Sequence, residues 1–248
     1  MNAATWRALA GINEAFYRDH AEEFAAARTA PWKGWERLLP RLRATAPPLR
    51  VLDLGCGHGR FARFLADALP DTPVAWTGVD TSGPLLATAR RDLPGATSLV
   101  RLDVAARPEA LPEGPFDWVV LFGLLHGVPA AERRRALLEA GAKRLAPGGH
   151  LVFTTWRFAE DGRARGRILE WNAFSSRAPV PIDCSQLEPG DCLLPWGAGS
   201  EVVRYVHAFD ESEITSCLRA LPLVCELRYR ADGRSGDQNE YFALRRER

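Results

Sequence analysis

The ten residues Val51-Leu52-Asp53-Leu54-Gly55-Cys56-Gly57-His58-Gly59-Arg60 constrain this chain more than any others. A short apolar run carries an acid near its end and breaks into three alternating glycines, and a helical pattern (Phe61, Phe64, Leu65, Leu69) follows at once. Glycines in such a place let the backbone turn tightly and lie against a ligand, because a Cβ would occupy the space. The dinucleotide fingerprint G-x-G-x-x-G would need its third glycine at position 60, which is Arg, so an NAD dehydrogenase is disfavoured. The D-x-G-x-G-x-G spacing suits a nucleoside ligand that lacks a pyrophosphate and carries an amino-acid tail.

Downstream, strand and helix signals alternate: Leu49–Leu54, a helix over 60–68, Val74–Val79, a helix over 83–91, Ser98–Leu102, Trp118–Phe122, a helix over 130–145, and 150–155. Runs apolar on both faces, such as Trp118-Val119-Val120-Leu121-Phe122, fit a parallel sheet covered by helices. The expected fold is therefore α/β, a doubly wound Rossmann-like, mainly parallel seven-stranded sheet within one unit over residues 1–248. Its parts are an N-terminal helical cap (1–47), a cofactor-binding core (48–156), a polar insertion or lid after strand five (157–203), and a C-terminal helix and antiparallel hairpin (204–248). The length and a hydrophobic fraction of 46% suffice for such a core.

A net charge of +1 excludes a global field that recruits nucleic acid, so any such contact is local. Five cysteines form no C-x-x-C pair, and no metal site is expected. No apolar run approaches membrane-spanning length, and a cytoplasmic, non-membrane protein is expected.

Ligands of doubly wound sheets lie outside the carboxyl ends of the strands. Three acids stand at three successive strand ends. Asp53 can hold glycine amides or a ligand amino group. Asp80, followed by Thr81, can take both ribose hydroxyls. Asp103 can accept from an adenine amino group while Val104 offers its backbone N–H. Capping of turns is the plainer role for the last two. S-adenosylmethionine, with S-adenosylhomocysteine as product, is a ligand of this shape.

This combination resembles the class I S-adenosylmethionine-dependent methyltransferases, through Val51–Gly59, Gly78–Asp80, Asp103-Val104, Phe116 to His126, and Leu145–Phe153. The resemblance implies that Asp80 binds the cofactor ribose and Asp103 marks the adenine, with Gly55, Cys56, Gly57 and Phe122 beside them. The flanks narrow it. Asn13-Glu14-Ala15-Phe16-Tyr17, Arg28-Thr29-Ala30-Pro31-Trp32, Asp191-Cys192-Leu193-Leu194-Pro195-Trp196 and Arg204-Tyr205-Val206-His207-Ala208-Phe209 are similar to segments of the eukaryotic tRNA wobble-uridine carboxymethyl methyltransferases. Val206 and Glu240 depart from that pattern, each standing where an aromatic residue is expected. The resemblance implies esterification of a carboxylate on a modified tRNA uridine, and a small activating subunit as partner. A small-molecule acceptor on the same core is the alternative, and a non-catalytic binding module is a third reading.

A carboxylate acceptor, ionised at neutral pH with a pKa of about 4, needs no general base but does need a cation to orient it. A hydroxyl acceptor would need a base such as histidine. His126, just past strand four, suits either task or is a buried structural histidine. Arg204 and His207 are further catalytic candidates, although strand geometry puts them on opposite faces. Trp196 can stack on a base or anchor a lid. Arg157, with Arg163, Arg165 and Arg167, can hold phosphates or form a solvated loop, while Arg133-Arg134-Arg135 reads as a solvated helix face. Asn239 is a substrate-binding candidate, and Tyr17 and Arg28 can close over the cofactor's carboxylate end.

Overall fold

The computed structural model describes residues 1–93, 98–176, 180–197 and 201–247. Two helices open the chain, α1 (Ala3–Asp19) and α2 (Ala21–Ala26), followed by a 3-10 turn over Lys33–Leu38 and α3 (Leu39–Ala44). Then come β1 (Leu49–Leu54), α4 (Arg60–Ala68), β2 (Val74–Asp80), α5 (Gly83–Asp92), β3 (Ser98–Arg101), β4 (Phe116–Leu121), α6 (Ala131–Lys143) and β5 (Leu145–Trp156). The insertion holds α7 (Gly162–Arg165), α8 (Trp171–Ser175) and β6 (Asp191–Pro195). The chain continues through β7 (Val203–His207), α9 (Glu211–Arg219), β8 (Val224–Ala231) and β9 (Asn239–Arg245).

Seven strands form one sheet in the order β3-β2-β1-β4-β5-β9-β8, parallel except for β9, which runs antiparallel to both β5 and β8. Side-chain alternation sorts the core into two layers. Leu52, Leu54, Val119, Leu121, Phe242 and Leu244 pack with Leu137 and Leu138 of α6 and Ile214 of α9. The intervening Val51, Trp118, Val120, Tyr241 and Ala243 pack with Trp35, Leu38, Phe61, Phe64 and Leu65 on the other face. Both faces are covered, which is why these strands read as continuous apolar runs. The order in which successive strands are added reverses between the parallel neighbours β1 and β4, and that switch point opens the crevice.

Three expectations change. The insertion, whose polar composition suggests irregular backbone, contributes β6, which pairs antiparallel with β7 as a separate two-stranded sheet. Ala146-Pro147-Gly148-Gly149, whose Pro and Gly content predicts a turn that ends the helix over 130–145, lies within β5, where Gly148 and Gly149 exchange backbone bonds with Arg246. Within the arginine triplet of α6, Arg134 is fully buried rather than solvated.

The helical cap is fastened through Asn13. Its Nδ2 donates to the carbonyls of Gly127 (3.1 Å) and Tyr205 (3.0 Å), and its Oδ1 accepts from the N–H of Tyr205 (3.0 Å). One side chain thereby ties α1 both to the segment after β4 and to β7. Among the described residues no helix is long and apolar enough to cross a membrane.

Candidate functional site

The carboxyl ends of β1, β2 and β4 and the turn after β3 open into one cavity of about 380 Å³ under the helical cap. The glycine turn is fixed to β2, since the N–H groups of Gly55 and Cys56 both donate to the Val79 carbonyl, at 2.8 and 3.1 Å. Gly57 has a φ of +55°, and a Cβ there would meet nothing nearer than Leu85 at 3.9 Å. Its open side faces the cavity, so a side chain would take space that a ligand can use. Gly59 (φ +76°) starts α4, and a Cβ there would come 2.5 Å from the Leu93 side chain.

Asp80 does structural work and keeps capacity for a ligand. Its Oδ2 accepts from the Gly57 N–H and its Oδ1 from the Ser82 N–H, both at 2.8 Å. Each carboxylate oxygen can accept twice, which leaves one site on each for a ribose diol. Asp103 caps its own turn: Oδ1 accepts from the N–H of Ala105 (3.0 Å) and of Ala106 (2.9 Å), and this turn does not use Oδ2. The capping and ligand-binding readings of both acids are thus compatible. Thr81, Val104, Cys56 and Phe122 line the same cavity. Burial pushes the Cys56 thiol well up, which makes it a packing group.

Asp53 is buried at 3% exposure, and desolvation raises its pKa to about 7. Burial disfavours the charged carboxylate, and a cation placed against it would restore ionisation.

The opposite wall is cationic and aromatic. The Arg204 guanidinium lies 4.9 Å from the Trp196 ring centre, 5.3 Å from Phe16 and 5.7 Å from Trp156. Arg28 lies 4.0 Å from Phe24 and 4.7 Å from Trp196, and Arg60 lies 4.9 Å from Trp32. Among the described residues none of these three guanidiniums makes an ion pair with a carboxylate, whereas Arg50, Arg134, Arg157 and Arg228 do. Desolvation lowers Arg28 and Arg60 to about 10 and lowers Arg204 as well, yet all remain charged at neutral pH. Charge withdrawn from water without an acidic partner is costly, so a cavity lined by one buried guanidinium, Arg204, and two half-buried ones, Arg28 and Arg60, is suited to anions. Tyr17 sits beside Arg204, and burial raises its phenol, keeping it a neutral hydrogen-bonding group.

His126 also faces the cavity, with its ring 5.3 Å from that of Trp156 and its Nδ1 buried without a partner among the described residues. Burial, reinforced by the charges of Arg204 and Arg28, depresses its pKa to about 3, so the imidazole is neutral.

The structure brings together Tyr17, Arg28, Asp53, Gly55–Gly57, Asp80, Thr81, Asp103, Val104, Phe122, His126, Arg204 and Asn239 around this cavity. It separates three others. His207 is fully buried on the far side of β7, held by Asp191 and Glu213, because alternation along the strand turns it away from Arg204. Arg157 is paired to Glu160 and Glu240 and donates to the Phe209 carbonyl, so it is not on the cavity wall. That pairing, with Arg228 on the other side, explains the acid at position 240. Trp196 backs Arg28 and Arg204 as a packing anchor among Phe16 and Phe24. Arg163, Arg165 and Arg167 are exposed. Asn239 reaches the cavity edge while donating to Asp232 Oδ2 at 2.9 Å, and Asp232 Oδ1 accepts from the Gly34 N–H at 2.9 Å.

Sequence reasoning missed Arg60 as a site cation and Trp6, Trp32 and Trp35 as walls. Arg60 directly follows the glycine turn, which was the available signal; the tryptophans have none, because the cap's docking angle sets where they point. Of possible metal ligands, Glu188, Asp191 and His207 lie close together, but the Arg134 guanidinium already supplies their positive charge.

Residues 52–151 match a family model described as a methyltransferase domain. Trans-aconitate 2-methyltransferase of Methylobacterium nodulans is 40% identical over 131 residues, 52% of this chain and 45% of that protein. A probable tRNA methyltransferase 9B of Homo sapiens is 27% identical over 153 residues, 58% of this chain and 31% of that protein. The chain thus spans less than half the length of these relatives. Among solved structures, Burkholderia thailandensis 1,6-didemethyltoxoflavin-N1-methyltransferase, with bound 1,6-didemethyltoxoflavin and S-adenosylhomocysteine, superposes with a TM-score of 0.65 at 17% identity, covering 100% of this chain and 92% of that one. The fold is that of the class I methyltransferases.

Proposed function

We propose that this chain, whose residues 52–151 are a methyltransferase domain, transfers the methyl group of S-adenosylmethionine to a carboxylate and forms a methyl ester. The observation that carries this is Arg204, a guanidinium at 9% exposure with no acidic partner among the described residues, in the same cavity as the glycine turn and Asp80.

The cavity has a polarity for each end of the cofactor. Asp80 and Asp103 retain acceptor sites for ribose and adenine. Asp53 offers its reluctant carboxylate to an ammonium, and Arg28 and Arg60 offer charge to a carboxylate. S-adenosylmethionine supplies, when bound, an electrophilic methyl group on a cationic sulfur. Arg204 orients one acceptor oxygen by charge-assisted hydrogen bonding and leaves the other free to attack. His126, neutral at its depressed pKa, adds a donor or acceptor without adding charge. No base is required, since a carboxylate is already ionised. Alignment within an aromatic enclosure that excludes water is the main contribution of the protein, and such positioning is worth roughly 7–11 kcal/mol.

The acceptor we favour is the carboxymethyl group of a modified wobble uridine in tRNA, with a small activating subunit as possible partner. The flanking segments resembling that family support it: Asn13, Arg28 and Arg204 all do identifiable work at this site. A small polycarboxylate is the second reading, favoured by the 40% identical trans-aconitate enzyme and by Arg157 being tied up internally. Labelled cofactor offered with bulk tRNA, and separately with trans-aconitate and related acids, decides between them. Base-labile label in RNA supports the first; label only in the acids supports the second; label in neither defeats both.

A further inference from the structure

The strand that carries Arg204 into the cavity carries His207 into a second, wholly buried polar cluster. Tyr205 and His207 share the face of β7 opposite to Arg204, and His207 has no exposed surface. Every element packed around it supplies a charged or titratable group: Arg134 from α6, Glu188 from the turn before β6, Asp191 from β6, Tyr205 from β7 and Glu213 from α9.

Hydrogen-bond accounting fixes the protonation of the ring. Nδ1 is 2.8 Å from Asp191 Oδ1, and Nε2 is 2.7 Å from Glu213 Oε2. An ionised carboxylate only accepts, and a neutral imidazole has one N–H. Both acids accept from other donors as ionised carboxylates do, Asp191 from the Tyr205 hydroxyl (2.6 Å) and the Glu188 N–H (2.8 Å) and Glu213 from Arg134 (2.6 Å), and despite burial both lie below the usual carboxylate range. Arg134 Nη2 also lies 3.1 Å from Nε2, but its two N–H groups are spent on Glu188 (2.7 Å) and Glu213 (2.6 Å), so the carboxylates are the ring's partners and both ring nitrogens carry protons. Charge balance agrees. Glu188, Asp191 and Glu213 face one guanidinium, Arg134, and an imidazolium reduces the remaining deficit.

The cluster is joined to both polar groups placed at the acceptor end. Arg134 donates to the Val128 carbonyl at 2.9 Å, two residues beyond His126. His207 lies three residues beyond Arg204 on the same strand. We propose that His207 is a doubly protonated latch that positions Arg204 at the mouth of the cavity and lets go of it when the ring loses a proton. The reading of Arg204 as acceptor anchor gives this latch its purpose, but the latch itself is measurable without any acceptor.

Loss of either N–H would set a ring lone pair against a carboxylate at under 3 Å, turning an attraction into a repulsion. Burial lowers the basicity of the ring, and the hydrogen bonds it donates to Asp191 and Glu213 more than offset it, so the net shift is upward. A group raised in the folded state contributes its stability at low pH and loses it as pH climbs through the folded value. The latch is closed below the raised pKa of His207 and opens as pH climbs through it. His207 acts through Arg204 and is a positioning residue.

The test uses the full chain and two side-chain NMR signals: the ring nitrogens of His207, assigned by their loss in His207→Gln, and the Arg204 Nε–H, assigned in Arg204→Met. Expected are a doubly protonated ring at neutral pH and an Arg204 signal that shifts in step with its alkaline titration. Glu213→Gln, which keeps the shape and removes one charge, should lower both titrations together by about one unit or more. A neutral tautomer at neutral pH, or an Arg204 signal indifferent to the titration of His207, overturns the proposal. Failed methyl transfer with these NMR results intact would count against the proposed function and leave the latch standing.

Discussion

Replacing Arg204 by Met should make the unliganded protein more stable and the enzyme much worse, and the two effects can be sized from its surroundings. The guanidinium is nearly buried and has no acidic partner among the described residues, so it bears a desolvation penalty of several kcal/mol. Three aromatic contacts at 4.9 to 5.7 Å return part of it, at about 0.5–2 kcal/mol each. A methionine of similar reach fills the same aromatic slot with no charge to desolvate, for an expected net gain of about 1 kcal/mol. In a chain of this size that raises Tm by about 2–4 °C. The acceptor would lose a charge-assisted hydrogen bond worth about 1.5–3 kcal/mol, so kcat/KM should fall roughly 10- to 150-fold, with S-adenosylhomocysteine affinity little changed. Calorimetric melting and calorimetric titration give the two stability and binding numbers; initial rates give the third. A lower Tm together with unaltered turnover would refute the view of Arg204 as an unsatisfied anion anchor.

Asp80→Asn keeps the shape of the side chain but removes the charge and half the acceptor capacity that the Gly57 and Ser82 amides and the ribose would share. S-adenosylhomocysteine affinity should drop by about 10- to 100-fold, read by isothermal titration. Gly57→Ala forces a side chain into a left-handed residue and into the cavity, so it should lose about 1–2 kcal/mol of stability by denaturant titration and lose cofactor binding disproportionately. Binding that spared the cofactor would show that the turn does not face it. Asp53, at about 7, is partly protonated in the unliganded protein at neutral pH. Because its folded value is raised, its contribution destabilises the unliganded fold as pH climbs from the usual carboxylate range towards neutrality. A bound ammonium should lower it and release a fraction of a proton, seen as a buffer-dependent binding enthalpy; identical enthalpies in buffers of different ionisation heat would remove Asp53 from the site.

The sheet was legible in the sequence because its chemistry is local. Each core strand is a short run of apolar residues ending in a polar residue or glycine, and the two-residue period assigns every side chain to a layer without reference to the rest of the chain. Asp53, Asp80 and Asp103 were legible for the same reason, since a residue at the carboxyl end of a parallel strand reaches the crevice whatever else the molecule does. Alternation even anticipated that Arg204 and His207 would part company. What it could not choose was which of the two faces the cavity, because β7 pairs with β6 rather than joining the main sheet.

Charged residues resisted reading, for a physical reason. An arginine is soluble on a surface, stable in a buried pair, or poised in a cavity, and the deciding partner is far away in sequence. Arg134 is buried only because Glu188 and Glu213 arrive from the insertion and from α9. Arg157 is withdrawn from the mouth because Glu240 comes from the last strand, and Arg204 stays available because none of the described acids reaches it. The sequence by itself determined the layered sheet, the glycine turn and the three acids at its edge, since these depend on periods and spacings within a few residues. Tertiary structure alone decided which cations remain without a counter-charge, because that depends on long-range contacts between side chains and on how much water the fold leaves around them.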